Sequence, residues 1–404
     1  MAKRRHLRGN RTAGNLFLSV VLVTFVAWFG FTVYYIDTTP PPHQQRDDRD
    51  HHTFVLYSRD VNKTTEALEH DAQAITRPQE KQSGYTMKFL LNNRNLCRNH
   101  DGSQSDVELL IVISSRQKNV LNRRFIRRYW ANLRNYSKVL ARKVVTVFLF
   151  GVTPDSYRKL YIENDKFGDV LMADFLDTYN NLTLKTIMGI QWATQYCPSA
   201  RFVMKSDDDV LIQPLNALRH LRTQSESDLM IGRCGRTSRP VRETKSPNYV
   251  SYEEWSDHTF PPYCSGSSYI MSSDLVRKLS SLSKVETSFK FEDVYIGILL
   301  QKLGIDPLNH PAFAPEYINL NSACDIRHLI ASHHAWTRYM YDGITNIDYT
   351  LSSIKELWVK LIQIRKGKIS CPPDTDGFGH KIDASFQFDE MLEEEFGSNL
   401  TNSL

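Results

Sequence analysis

Three adjacent carboxylates, Asp207, Asp208 and Asp209, follow the apolar segment Ala200–Met204 and Lys205-Ser206. Adjacent carboxylates repel one another unless something positive lies among them. A hard divalent cation with oxygen ligands is the natural neutraliser. Such a cation can bridge a diphosphate and stabilise it as a leaving group. A second acidic pair, Glu292-Asp293, precedes an apolar pattern with Tyr295, Leu299 and Lys302 at helical intervals. Carboxylates at a helix start commonly serve only as caps; the functional alternative is a general base held over a cleft. A single base beside a separate metal site suits a one-step displacement. A glycosidase would need a second carboxyl group to protonate its leaving oxygen. The plain alternatives are a solvated acidic turn and a capped helix, and the buried strand ahead of the triad weighs against the first.

Four apolar runs bear on where these groups stand. VELLIVISS at 107–115, VVTVFLFG at 144–151, DVLMADF at 169–175 and ARFVMKSDDD at 200–209 read as strands. Helical spacing occupies 119–132 and 183–195, with Thr183 as the expected N-cap of the latter. Strand–helix alternation predicts an α/β fold: a mostly parallel central sheet flanked by helices on both faces. Ligands bind beyond the carboxyl ends of the strands in such sheets. Ser114, Ser115 and the three acids belong there. Neither GxGxxG after the first strand nor GxxxxGK[ST] occurs, so dinucleotide and P-loop chemistry lack their main evidence.

The chain of 404 residues carries a formal charge of +5, too mild to argue for nucleic acid. The charge is uneven. Lys3, Arg4, Arg5, Arg8 and Arg11 precede an uncharged run, Leu16–Ile36, long enough to span a bilayer. Basic residues before a single span predict a type II anchor: residues 1–15 cytosolic, 16–36 in the membrane, 37–87 a polar lumenal stem. A folded domain is expected over 88–371, then an acidic, disordered tail over 372–404. All six cysteines follow the span and none forms CxxC, which predicts disulfides. Chain order suggests Cys324 with Cys371. Sequons after the span stand at Asn62, Asn135, Asn181 and Asn399.

Asp174-Phe-Leu-Asp-Thr-Tyr-Asn-Asn-Leu-Thr-Leu-Lys-Thr186 resembles the DFxDxYxNLTLKT signature of the β1,3-galactosyltransferase family, which includes β1,3-N-acetylglucosaminyltransferases and is distantly related to Fringe. Arg123–Trp130 resembles RxAIRxTW, Cys197–Asp209 the block around DxD, Phe260–Tyr269 YPPYCSGxGY, and Glu292–Gly297 EDVYxG. The five blocks stand in family order. The resemblance implies a GT-A-like fold, a UDP-sugar donor, Mn²⁺ and inverting transfer to the 3-hydroxyl of a glycan on glycoprotein or glycolipid, in the Golgi membrane. Galactose is the donor sugar expected first, with N-acetylglucosamine or N-acetylgalactosamine as the alternative. Carried over by position, Asp209 is the main metal ligand and His333 completes the site. Asp207 faces nucleotide and ribose, Asp208 lies near the diphosphate, and Asp293 is the base. Ser114, Ser115, Arg123 and Arg127 line the uridine and phosphate pocket. Trp130 reads as core, and Lys185 as either a helix-face charge or a phosphate contact.

Two departures stand out. Ser268 replaces the family Gly of GxGY, where it could crowd the donor. Phe125 and Tyr129 replace smaller residues of the first block and are expected to alter helix packing. A membrane-anchored lectin or chaperone on a degenerate domain is the competing class, but both the acidic triad and the candidate base are present. A metal-dependent phosphohydrolase lacks a second metal cluster. Homo-oligomerisation is left open.

Overall fold

The computed structural model describes residues 87–133, 143–153, 156–235, 238–315 and 323–333, with 356, 359–361, 363–364 and 367–371 beyond. All lie in the unit Thr64–Leu404; the other unit, Met1–Lys63, lies outside the described residues. So do the expected cytosolic tail, membrane span, stem up to residue 86 and acidic tail. Among the described residues no helix is long and apolar enough to cross a membrane.

The elements run β1 (Phe89–Leu91), β2 (Leu109–Ser114), α1 (Val120–Arg128), β3 (Val144–Val152), α2 (Ser156–Phe167), β4 (Val170–Leu176), a 3₁₀ turn (Tyr179–Asn181) and α3 (Leu182–Tyr196). Then come β5 (Phe202–Asp207), β6 (Val210–Ile212), α4 (Pro214–Leu221), β7 (Met230–Gly235), β8 (Tyr263–Ser272), α5 (Ser273–Leu282) and α6 (Glu292–Leu303). The last are β9 (Leu308–Asn309), β10 (Phe313–Ala314), α7 (Ala323–Ile326) and β11 (Ala331–His333).

An eight-stranded sheet has the order β1-β4-β3-β2-β5-β8-β7-β9. Its centre is the four predicted strands, all parallel. β8 then joins β5 antiparallel and β1 joins β4 antiparallel. All six residues of β2 are buried. Leu109, Ile111 and Ile113 pack with Trp130, Phe148 and Phe150, while Leu110 and Val112 pack with Trp192 and Tyr269. A strand covered on both faces is apolar throughout, which is why β2 reads as a continuous run. Ser114 pairs in register with Asp207, so β2 and β5 finish together, while β3 runs on from Leu149, the partner of Ser114, to Val152.

α3 begins one residue before the expected cap. Thr183 lies inside the helix, buried, and its Oγ1 donates to the Phe289 carbonyl at 2.7 Å. α6 ends on Gly304 in the left-handed conformation, φ 69°, where glycine avoids the Cβ clash other residues meet. A second sheet, β10-β11-β6, pairs β11 antiparallel with β6 and sets His333 opposite Val210. The disulfides are Cys97–Cys197, Cys234–Cys264 and the expected Cys324–Cys371.

Candidate active site

The ends of β2 and β5, the loop into α1, and Tyr179, Leu182 and Lys185 surround a cleft of about 410 Å³. Ser114, Ser115, Asp207, Asp208 and Asp209 all line it, together with Arg116, Lys118, Asn119 and Asn122. The Ser114 hydroxyl is buried and has no hydrogen-bond partner among the described residues, so it can serve a ligand without breaking an internal bond.

The three acids have different surroundings. Asp207, Asp209 and His333 each offer a ligand atom, and these atoms lie within 4.8 Å of one another. His333 Nε2 is 3.4 Å from Asp209 Oδ1, and its Nδ1 lies 2.9 Å from the Pro315 carbonyl. A donor at Nδ1 leaves Nε2 turned to the acids, the orientation a metal-ligating imidazole needs. Burial opposes charge on His333, but Asp209 outweighs it and raises the imidazole pKa. Two carboxylates and one imidazole suit a divalent cation of the Mn²⁺ type.

Asp208 is buried and its oxygens are occupied. They accept from Ser115 Oγ at 2.6 Å, Asn119 Nδ2 at 3.0 and 3.1 Å, and Asn122 Nδ2 at 3.2 Å. Burial pushes its pKa up, opposed by these donors. Asp208 borders the cleft, yet its contacts fasten the loop between β2 and α1 to the end of β5.

Arg123 and Arg127 do not line the cleft, contrary to the expectation from the motif. Arg123 is 0% exposed and pairs with Glu163 through Nε at 2.7 Å and Nη2 at 2.6 Å. Its Nη1 donates to Ser115 Oγ and the Arg116 carbonyl, and Nη2 to the Gln117 carbonyl. It shapes the cleft by holding the loop, since a buried guanidinium must have its donors satisfied. Arg127 is bidentate to Asp169, bonded to Glu163, and sandwiched by Phe148 and Phe167. Lys185 does border the cleft. It is buried, 2.7 Å from Asp177 Oδ1 and 2.8 Å from the Ser115 carbonyl. Burial lowers its pKa against the pull of Asp177.

Asp293 stands in the first turn of α6. Its Oδ1 accepts from the Val294 amide at 2.8 Å. Burial raises its pKa, with Lys205 pulling the other way. Glu292 is buried beside it. Its Oε2 accepts from Thr186 Oγ1 at 2.7 Å and Tyr269 Oη at 3.2 Å. Its Oε1 lies 3.2 Å from Lys205 Nζ. Burial pushes the Glu292 pKa up against Lys205. Gly266 makes this packing feasible: a Cβ there would lie 2.9 Å from Glu292 Oε1. Ser268, the departure from the family glycine, is buried opposite Ser206 in the β5–β8 register and does not line the cleft.

Sequence reasoning missed Asn119, Asn122 and Lys205. The asparagines were legible as polar residues three apart at the start of an amphipathic helix. Lys205 carried no signal beyond its place ahead of the acids.

Residues 121–311 match the family described as galactosyltransferase. A lactosylceramide 1,3-N-acetyl-β-D-glucosaminyltransferase of Xenopus tropicalis is 33% identical over 270 residues, 64% of this chain and 70% of its own length. A UDP-GalNAc:β-1,3-N-acetylgalactosaminyltransferase 1 of Rattus norvegicus is 36% identical over 260 residues, 61% of this chain and 74% of its own. This chain belongs to the β1,3-galactosyltransferase family. As a member it is a UDP-sugar-dependent β1,3-glycosyltransferase. The solved galactosyltransferase LgtC, in complex with donor and acceptor sugar analogs, shares 13% identity and a TM-score of 0.34 over 64% of this chain and all of its own.

Proposed function

We propose that this family member is an inverting enzyme of GT-A fold that transfers an N-acetylhexosamine from its UDP-sugar to the 3-hydroxyl of a glycan. The carrying observation is the separation of roles in the site. Asp207, Asp209 and His333 form a metal-capable group at the strand ends, and Asp293 stands apart on the start of α6. The names of both relatives favour N-acetylglucosamine or N-acetylgalactosamine over the galactose expected from the motifs.

In this reading Asp209, Asp207 and His333 would hold Mn²⁺, which would supply positive charge against the departing diphosphate. The Ser114 hydroxyl, Arg116 and Lys118 face the nucleotide portion of the donor. Asp293 takes the proton of the acceptor hydroxyl as that oxygen attacks the anomeric carbon opposite the UDP. Burial raises its pKa, which makes it a better proton acceptor than an ordinary aspartate. The apolar run 16–36 and the three disulfides support anchoring in the Golgi membrane as a type II protein.

The test is a donor panel of UDP-N-acetylglucosamine, UDP-N-acetylgalactosamine and UDP-galactose with Mn²⁺, offered galactose-terminated acceptors that include lactosylceramide. Product linkage is read by NMR. Transfer of galactose alone would reject the N-acetylhexosamine reading, and a linkage other than β1,3 would reject the assignment of the acceptor hydroxyl.

A further inference from the structure

A single buried ammonium ties the two acidic clusters together. Lys205 lies on β5 two residues before Asp207 and is 3% exposed. Its Nζ donates to Asp207 Oδ1 at 2.8 Å and to the Gly266 carbonyl, and lies 3.2 Å from Glu292 Oε1. An ammonium has three donors and no acceptor; two are used in hydrogen bonds to Asp207 and Gly266, and the ion pair with Glu292 completes its three partners. They come from three elements: β5 itself, β8, and the first residue of α6. Glu292 is fastened a second time, by Thr186 of α3 and Tyr269 of β8. Asp293 is the next residue, so any shift of Glu292 is handed on to it through one planar peptide.

We propose that Lys205 is a positioning residue: it sets the start of α6, and with it the Asp293 carboxylate, in register with the Asp207–Asp209–His333 group. This rests on the transfer reaction proposed above. A flexible chain between two acidic clusters would leave their spacing loose. A buried cation anchored on both sides gives the spacing one value, and misplacement of a reacting group by about 1 Å can lower a rate about 10²-fold. The competing role is simple compensation of the buried Glu292 charge, and the two differ in what rescues the enzyme.

The experiment compares the full-length chain with Lys205→Met and with Lys205→Met/Glu292→Gln. Methionine keeps a linear side chain of similar volume and has no N–H donor. The single variant strands a buried carboxylate, so its melting temperature should fall. In the double variant Gln removes that charge while keeping an oxygen for Thr186 and Tyr269, so much of the melting temperature should return. The kcat should nevertheless stay about 10²-fold down in both, with the KM for UDP-sugar within about threefold of wild type. A second readout needs no turnover. UDP with Mn²⁺ should slow amide hydrogen exchange over 292–296 in the wild type and leave it unchanged in both variants. Recovery of kcat together with melting temperature in the double variant would overturn the proposal, since Lys205 would then be a countercharge only. Wild-type exchange behaviour in the variants would overturn it too. A wild type that couples UDP to α6 yet transfers no sugar would reject the reaction and leave the positioning role standing.

Discussion

Asp293→Asn should remove turnover while sparing the fold and donor binding. The local bond survives, because an Asn oxygen can accept from the Val294 amide as Asp293 Oδ1 does at 2.8 Å. Losing a negative charge from the first turn of α6 destabilises by about 0.3–1 kcal/mol. A second term opposes it. Burial raises the Asp293 pKa above 3.8, with Lys205 pulling it back only in part. The folded state therefore holds more protons than the unfolded one between the two pKa values. There ν_U is below ν_N, and wild-type stability falls as pH rises from 3.8 through the folded pKa, then stays level. The Asn variant lacks that slope, so its relative stability should improve across that window. With the two terms opposed, the net change at pH 7 should be under about 1 kcal/mol. Turnover has no such offset. Loss of a general base lowers the rate about 10²–10⁴-fold, or about 2.7–5.4 kcal/mol of transition-state stabilisation. Initial rates at saturating UDP-sugar measure the first quantity; calorimetry of UDP with Mn²⁺ and melting curves at several pH values measure the rest. A kcat within tenfold of wild type would refute the single-base mechanism as a whole. Glu292 could not stand in, because its carboxylate is buried among Lys205, Thr186 and Tyr269.

Asp209→Ala should abolish the gain in UDP affinity on adding Mn²⁺ while leaving the melting temperature near that of wild type; calorimetry with and without the metal decides it. Gly266→Ala should destabilise by about 1–3 kcal/mol, because its Cβ would press on a carboxylate that three partners hold in place; denaturant unfolding reads this, and an unchanged midpoint contradicts the packing. Arg123→Leu should destabilise by about 3 kcal/mol by stripping Glu163 of a buried partner. It should also weaken UDP binding about tenfold by releasing the loop at Ser115, although Arg123 does not itself line the cleft. The Asn181 sequon should be unmodified, since its Nδ2 donates to the Leu176 carbonyl at 2.8 Å and Thr183 is buried against Phe289; glycopeptide mass spectrometry showing occupancy would oppose this.

The four central strands were legible because a strand buried on both faces is mostly apolar, and β2, β3, β4 and the first half of β5 are near-continuous apolar runs. The acids after β5 were legible as strand-end chemistry by the same logic, and the five motif blocks placed the chain in its family. Those signals are local: each depends on residues within a few positions of one another. What the tertiary structure decided was which distant groups share a charge. His333 reaches Asp209 only because β11 pairs with β6. Arg123 and Arg127 leave the cleft because Glu163 and Asp169, some forty residues on, supply the counterions that buried guanidinium groups require. Asp208 is taken up by Asn119, just ahead of α1, and by Asn122 on it, and Lys205 is claimed by Glu292 from α6. A buried charge must be neutralised by something, and chain order does not say by what; only the packing of the strand ends against α1 and α6 selects the partner.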